Sequence, residues 1–315
     1  MSESVCLLAS QLPFEIASDL LFRLIGISVC PSSIEKISEQ IGETFRAQEQ
    51  QAAQKPASEI AHKILAAQEE LPQRVYAQMD GAMINTLEGW KENKLGIIFN
   101  ENDLHKSGTG ENERISIKKK TLVTSLAQGL DDFKERFKHW MVQTRAQWAR
   151  EIIFITDGAI WIDHFISENY KGCVHILDWF HLTEHLWATA KEIYGENSPK
   201  ARLWVEQYKD LFYNGKEIEA LARILRAAKS IRKKQTPLFN LYNYLNSRRD
   251  KIRYKYFRSK GYYLGSGAVE SANRYAIQDR LKKAGMKWSI EGANAIAFLR
   301  TQYLSDNWQN FAWVA

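Results

Sequence analysis

The spacing of apolar residues predicts that the chain begins with helices. Apolar positions recur every three to four residues over 15–26 ("EIASDLLFRLIG") and over 31–50, which predicts two amphipathic helices. Gly26 is expected to end the first helix, and Ser32 or Ser33 to cap the second. The polar, alanine-rich residues 48–59 predict a helix end followed by a linker.

The pattern changes to that of strands at Val75. Residues 74–84 ("RVYAQMDGAMI") and 94–100 ("KLGIIFN") predict two hairpin-like strands, and residues 131–149 an amphipathic helix. The apolar stretches "EIIFITDG" and "CVHILDWFH" predict two short buried strands that end in Asp157 and Asp178. Strands alternating with helices indicate an α/β domain with a mixed sheet.

The remaining pattern is helical and suggests an insertion. Helices are expected from about residue 180 to 260, then a helix bearing Glu270, then one from Ile290 to about Tyr303. We therefore divide the chain into a helical N-terminal segment, the first part of an α/β core, a basic all-helical insertion, and closing helices of the core that carry Glu270. The respective ranges are 1–70, 71–180, 181–262 and 263–315.

Composition fits a globular protein. Of 315 residues, 45% are hydrophobic and 25% charged, which is enough for one large domain or two smaller ones. The scattered Cys6, Cys30 and Cys173 indicate neither a disulfide framework nor a cysteine zinc site. No apolar run approaches the roughly 18 residues that cross a bilayer, and no basic region precedes an apolar one at the N-terminus. We expect a cytoplasmic protein without a membrane partner.

Charge is concentrated in one segment. The net charge is +6, yet Arg223–Lys260 alone holds thirteen lysines and arginines against one acid, Asp250. Tyrosines and a phenylalanine are interleaved with these cations. Such a segment suits a polyanion, because cations release condensed counterions and aromatic faces stack on unpaired bases. A solvated helix face of lysines and arginines is the equally weighted alternative.

Three acidic residues occupy positions suited to chemistry. Asp80 and Asp157 each follow a predicted strand and precede a glycine, and Glu270 lies in the first turn of a late helix. Residues just beyond strand ends meet ligands in α/β sheets. Asp-Gly is also the commonest tight-turn dipeptide, and Glu270 has a helix-dipole alternative. Three carboxylates would supply the hard oxygen ligands of two magnesium ions.

A second cluster, "LDWFHLTEH", offers a different chemistry. His181, Glu184 and His185 form His-x-x-Glu-His, the inverted zinc-peptidase pattern, for which Glu270 is a candidate third ligand. The plainer alternative is a helix start packed on the sheet, with a hydrogen bond between Asp178 and His181.

Five ordered blocks resemble a known family. "MDGAMINTLEGWKENKLGIIF", "ITDGAIWI", "ILDWFHLTEHLW", "GYYLGSGAVESANR" and "RLKKAGMKWSIEGANAIAFLR" look like signature blocks of bacterial insertion-sequence transposases of the ISKra family, which are related to Mutator-like transposases. The resemblance covers roughly residues 70 to 310. It implies a DDE-type DNA transposase with a ribonuclease-H-like core, a mixed sheet with flanking helices interrupted by an all-helical insertion.

The resemblance also implies roles for residues. Asp80, Asp157 and Glu270 match the catalytic carboxylates that hold two Mg²⁺ (or Mn²⁺) ions, and Asp178 and His181 match an accessory pair. The basic segment and the last block would bind double-stranded DNA, both transposon ends and target, with the protein on the nucleoid and forming a homo-oligomer there. The predicted DNA-binding residues are Arg248, Arg249, Lys251, Arg253, Lys255, Arg274, Lys282 and Lys283.

The N-terminal region departs from the family. Only about seventy residues precede the first strand, whereas members typically carry longer regions with DNA-binding parts. Residues 25–42 fit a helix-turn-helix remnant or a plain helical hairpin, and the chain fits an N-terminally truncated copy. Two alternatives to the transposase stay open: a catalytically inactive DNA-binding relic or regulator of transposition, and the zinc-dependent peptidase.

Overall fold

The computed structural model describes residues 1–55, 70–107, 114–127, 129–230, 237–265 and 267–313. The chain divides into two units. The first unit comprises Met1–Ile152 and Gly267–Ala315, and the second comprises Ile153–Ser266. Residues 56–59, the last part of the predicted helix end and linker, lie outside the described residues, as do residues 231–236 of the basic segment.

Three helices open the first unit. They are α1 (Ser2–Gln11), α2 (Phe14–Ile25) and α3 (Pro31–Ala53). Gly26 ends α2 in the left-handed conformation, as predicted. The predicted cap of α3 was wrong, because Cys30 occupies the N-cap and Pro31 the first helical position. Proline has its φ angle already set for that position and lacks only an N–H that the first turn leaves unpaired.

Five strands follow in the first unit. They are β1 (Arg74–Thr86), β2 (Gly89–Asn100), β3 (Leu104–Ser107), β4 (Arg114–Ile117) and β5 (Thr121–Leu126). The hairpin of β1 and β2 confirms the two predicted strands. Strand β2 pairs antiparallel with β1 on one side and with β5 on the other, and β3 pairs with β4 in a separate ribbon. The sequence analysis did not predict β3, β4 or β5.

Helix α4 (Leu130–Gln143) packs on β2 and β5. It places Phe137 so close to Gly96 that a Cβ atom at residue 96 would lie 2.6 Å from the ring. Every residue of β5 is buried. The predicted amphipathic helix is therefore confirmed over 130–143, and its last residues form a separate 3₁₀ turn, Ala146–Trp148.

The second unit is a parallel strand pair followed by helices. Strand β6 (Glu151–Thr156), which begins in the first unit, pairs in parallel with β7 (Val174–Leu177) over Ile153–Thr156. The helices of this unit are α5 (Ile160–Asn169), α6 (Trp179–Tyr194), α7 (Pro199–Tyr213), α8 (Glu217–Ser230), α9 (Pro237–Asn246) and α10 (Tyr254–Ser259). Parallel pairing here and antiparallel pairing in the first unit confirm a mixed α/β protein.

The closing helices return to the first unit. Helix α11 (Gly267–Ala272) runs into a π-helical segment, Asn273–Gln278, and then into the short α12 (Asp279–Leu281). The last long helix, α13 (Ile290–Leu304), is buried along Gly292–Gln302. It packs against α1, α3 and β5, so the N-terminal helices belong to the core of this unit. No helix in the described residues has the length and apolarity of a membrane span.

Candidate active site

Asp80 lies inside strand β1. Asp80 pairs with Leu95 of β2. The β1–β2 ladder continues for six more residue pairs, the last of which is Thr86 with Gly89. Both sequence interpretations, a strand end and an Asp-Gly turn, were therefore wrong at this position. A Cβ atom at residue 81 would lie 2.5 Å from the carboxylate end of the exposed Glu92 side chain. The reversal of the hairpin occurs later, between Thr86 and Gly89.

The helix that bears Glu270 starts directly on β1. The backbone N–H of Val269 donates to Oε1 of Gln78, a fully buried residue of β1, over 3.0 Å. Asn273, in the π-helical turn that follows, donates from Nδ2 to Oδ2 of Asp80. Glu270 is exposed in the first turn of α11. The structure thus brings the elements carrying Asp80 and Glu270 into direct contact within the first unit.

Asn273 and Gln78 were missed by the sequence analysis. Asn273 follows Glu270 by three residues, which places both on one side of a helix, and this spacing was the available signal. Gln78 gave a weaker signal, because it is a polar residue within the otherwise apolar run of β1 before Asp80. A π-helical segment often accompanies functional sites, and here it contains the amide that contacts Asp80.

Asp157 lies in the second unit, directly after β6, as predicted. Its Oδ1 accepts the backbone N–H of Ala159 over 2.8 Å, a local turn that leads into α5. Among the described residues this is the single hydrogen bond to its carboxylate. The strand-end interpretation and the turn interpretation therefore both hold here, because the carboxylate organises the turn with one oxygen only.

Helix α9 of the second unit, with Arg248 just after it, holds the Asp157–Gly158 turn. The hydroxyl of Tyr244 donates to the carbonyl of Asp157 over 2.9 Å, and Arg248 donates to the carbonyl of Gly158 over 2.7 Å. The guanidinium also stacks on the Tyr244 ring, 4.2 Å from its centroid. Gly158 has φ +83°, and a Cβ atom there would lie 2.8 Å from both side chains. Burial raises the pKa of Tyr244 to about 12, so its hydroxyl remains a donor.

A cluster of charged side chains lies next to the Asp157–Gly158 turn. Asp163 on α5 lies 2.7 Å from Lys251 and 3.7 Å from Arg248. His175 on β7 approaches Asp163 at 3.7 Å and hydrogen-bonds Thr156 over 2.8 Å. Burial, with the nearby Lys251 and Arg248, lowers the pKa of His175 to about 4, so the ring is neutral at pH 7.

Asp178 caps helix α6. Its Oδ2 accepts the backbone N–H of His181 over 2.9 Å, which confirms the predicted hydrogen bond between these residues. Asp178 is fully buried, and its own N–H donates to the carbonyl of Thr156. The accessory pair therefore starts α6 beside the ends of β6 and β7.

The His-x-x-Glu-His residues lie on the first turns of α6. Nδ1 of His181 contacts Glu184 at 3.0 Å. His185 packs against Tyr244, with ring centroids 4.0 Å apart. Within the described residues, no group of three potential metal ligands includes His185. This geometry offers no support for a zinc pair.

The predicted DNA-binding residues fall into three environments. Arg248 and Lys251 are largely covered and contact Gly158 and Asp163 as described. The exposed Arg249 and Arg253 line a groove of about 640 Å³ between α8 and α9, and Lys255 is exposed on α10. In the first unit Arg274, Lys282 and Lys283 are exposed. The structure therefore assigns Arg248 and Lys251 internal contacts, whereas the other six side chains face solvent.

Fold and site together define a mixed α/β protein with acidic residues presented on a strand, a strand end and a late helix. No family model matches the chain. It is similar to a protein of Streptococcus gallolyticus named "UPF0236 protein in vanSb 3'region", with 25% identity over 305 residues. The match covers 95% of this chain and 62% of that relative.

Proposed function

We propose that this chain is a DDE-type DNA transposase with a ribonuclease-H-like core of the ISKra type, which cuts and joins transposon-end DNA. The observation that carries the proposal is the contact between Asp80 and the turn after Glu270, made by the Asn273 amide. Two of the three carboxylates that the sequence marks out, far apart along the chain, thus belong to contacting elements of one unit.

Each carboxylate would supply oxygen ligands to Mg²⁺ or Mn²⁺. Asp80 and Glu270 belong to the first unit and Asp157 to the second, and carboxylate oxygens are the ligand type that hard cations prefer. When bound, two such ions activate an attacking hydroxyl and stabilise the departing oxygen of a phosphodiester.

The chain's own residues prepare this chemistry. Asn273 orients the Asp80 carboxylate, and the Ala159 N–H orients that of Asp157. Tyr244 and Arg248 fix the backbone on either side of the Asp157 peptide. The exposed cations Arg249, Arg253 and Lys255 would neutralise DNA phosphates. Because transposition joins two ends, we propose that the protein acts as a homo-oligomer on DNA.

The test compares Asp157→Asn with the control Asp210→Asn, an exposed acid of α7. We expect Asp157→Asn to abolish Mg²⁺-dependent cleavage of a duplex carrying the element's terminal repeats while its DNA affinity is retained. Asp210→Asn should cleave like the wild type. Undiminished cleavage by Asp157→Asn would overturn the catalytic assignment.

The same assay separates the alternatives. A wild-type protein that binds the duplex with steep salt dependence but never nicks it in Mg²⁺ or Mn²⁺ is a DNA-binding relic or regulator. A protein purified with stoichiometric zinc that is lost on His185→Ala is the peptidase.

A further inference from the structure

The hairpin of β1 and β2 extends beyond the neighbouring strand β5. Strand β2 pairs with β5 only over Asn93–Ile98, whereas its pairing with β1 continues to the turn at Thr86 and Gly89. At about 3.3 Å per residue, the part beyond Asn93 projects on the order of 13 Å. The molecule thus presents a ribbon tip, which we define as residues 83–92.

Large apolar side chains are exposed on this tip. Leu87 is 65% exposed, Trp90 57% and Met83 45%. Trp90 lies opposite Asn85, two residues from Met83, so these side chains share one face of the ribbon. Single exposed apolar residues are ordinary on a protein surface, whereas grouped exposed apolar side chains are typical of interaction sites, in which tryptophan is enriched.

The ribbon tip is held in place by the segment before α13. The N–H of Leu87 donates to the carbonyl of Trp288 over 2.8 Å, and the N–H of Trp288 to the carbonyl of Asn85 over 3.2 Å. The Trp288 indole is buried and donates to the carbonyl of Leu281. Within the turn, Thr86 donates to the carbonyl of Gly89 over 2.6 Å. The exposed side chains therefore have a fixed support.

The same segment brings positive charge to the ribbon tip. Lys282, Lys283 and Lys287 are exposed, and Nζ of Lys282 lies 5.6 Å from the centroid of the Trp90 ring. The acids of the tip are paired locally, Glu88 with Lys91 and Glu92 with Lys94. The three lysines of the segment have no carboxylate partner among the described residues, so the surface carries uncompensated positive charge.

We propose that the ribbon tip with Lys282, Lys283 and Lys287 is a contact surface for double-stranded DNA, an inference that rests on the proposed function. The three ammonium groups bind backbone phosphates. Leu87 and Trp90 pack against the bases and sugars of a groove. A two-stranded ribbon fits the major groove, which is about 12 Å wide.

The test measures binding of a fluorescently labelled duplex by the whole 315-residue chain carrying Asp157→Asn, which is expected to prevent cleavage. One variant adds Lys282→Gln, Lys283→Gln and Lys287→Gln, and a second adds Trp90→Ala. A charge-matched control adds Lys36→Gln, Lys118→Gln and Lys138→Gln, which are exposed lysines elsewhere in the first unit. Thermal unfolding of each variant confirms that it folds, and Trp90→Phe tests whether an aromatic ring restores binding.

We expect the Lys282/Lys283/Lys287 variant to weaken binding. Each lost phosphate contact should reduce the slope of log affinity against log salt by roughly 0.9, so loss of all three contacts gives the largest expected reduction. Trp90→Ala should weaken binding roughly fivefold or more, as truncation of an interface anchor does. The control should lose less than either.

Failure of this inference differs from failure of the proposed function. If the parent protein binds no DNA even at low salt, both fail. If the wild type cleaves and the Asp157→Asn parent binds the duplex, but the tip variants bind it with unchanged affinity and salt slope, this inference alone is overturned. The inference is equally overturned if the tip variants bind the duplex normally and lose affinity only for a labelled single strand, since the partner would then be an unpaired strand.

Discussion

The hydroxyl of Tyr244 donates a hydrogen bond of 2.9 Å to the backbone carbonyl of Asp157. Tyr244 belongs to helix α9 and Asp157 to the end of β6, so this helix of the second unit fixes the strand end that carries a candidate metal ligand. The basic character of Arg223–Lys260 suggested two alternatives, binding of a polyanion or a solvated helix face. The structure adds another role for helix α9, because the Tyr244 hydrogen bond keeps the Asp157 peptide in one orientation.

Tyr244→Phe should therefore impair cleavage without removing the carboxylate. We expect a stability loss of about 1 kcal/mol for one hydrogen bond and a higher Mg²⁺ concentration for half-maximal cleavage. The measurement is a Mg²⁺ titration of cleavage rate alongside thermal unfolding. Tyr242→Phe, on the same helix, is the control and should leave the titration unchanged. An unaltered Mg²⁺ requirement in Tyr244→Phe would remove its positioning role.

Asn273→Ala tests the corresponding contact in the first unit. The buried amide orients the Asp80 carboxylate, so its removal should lower the cleavage rate at fixed Mg²⁺ and cost roughly 1–3 kcal/mol of unfolding free energy. Ser271→Ala, an exposed neighbour on the same helix, should change neither quantity. The idea fails if both variants cleave at the wild-type rate across a Mg²⁺ titration.

His175 predicts an acid-sensitive second unit. Its pKa is lowered to about 4 in the folded protein, chiefly by burial, against about 6.5 when unfolded. Between these values the unfolded state binds more protons than the folded state. The free energy of unfolding therefore falls as the pH drops from about 6.5 through about 4. Above about pH 6.5 the neutral His175 causes no such loss of stability.

The pH dependence can be assigned by substitution. Urea unfolding of His175→Asn from pH 7 to pH 4 should show a shallower decline than the wild type, even if its stability at pH 7 is lower. His164→Asn, which replaces an exposed histidine of α5, should keep the wild-type slope. Equal slopes for His175→Asn and the wild type would show that another group titrates.

Substitution of Glu49 tests how strongly α3 stabilises the first unit. Its carboxylate accepts hydrogen bonds from Arg136, Trp140 and Gln302 at 2.7 to 3.0 Å. Arg136 is 1% exposed, so Glu49→Ala leaves a buried guanidinium without its carboxylate. We expect a loss of about 3–5 kcal/mol in urea unfolding.

The control is an exposed acid of the same helix. Glu43 pairs with Arg46, and its side chain is 46% exposed. Glu43→Ala should cost at most about 1 kcal/mol. Equal losses for the two variants would mean that the Glu49 network contributes no more than a surface ion pair.

Local chemistry alone determined several features of this protein. Gly26 ends α2 because glycine adopts the left-handed conformation without strain, and the apolar runs before Asp157 and Asp178 form strands. Asp178 caps α6 as the sequence indicated. Each of these outcomes depends on residues within a few positions of one another, so the pattern along the chain contains the necessary information.

Other features depended on partners that are distant along the chain. Asp-Gly chemistry favoured a turn at Asp80, but β2 pairs through this position and moves the turn to residues 87 and 88. Asn273 reaches Asp80 across 193 positions, and Tyr244 reaches the Asp157 carbonyl across 87. Hydrogen bonds and close packing act over a few ångströms of space, whatever the separation in sequence, so only the tertiary structure decided which residues support the candidate carboxylates.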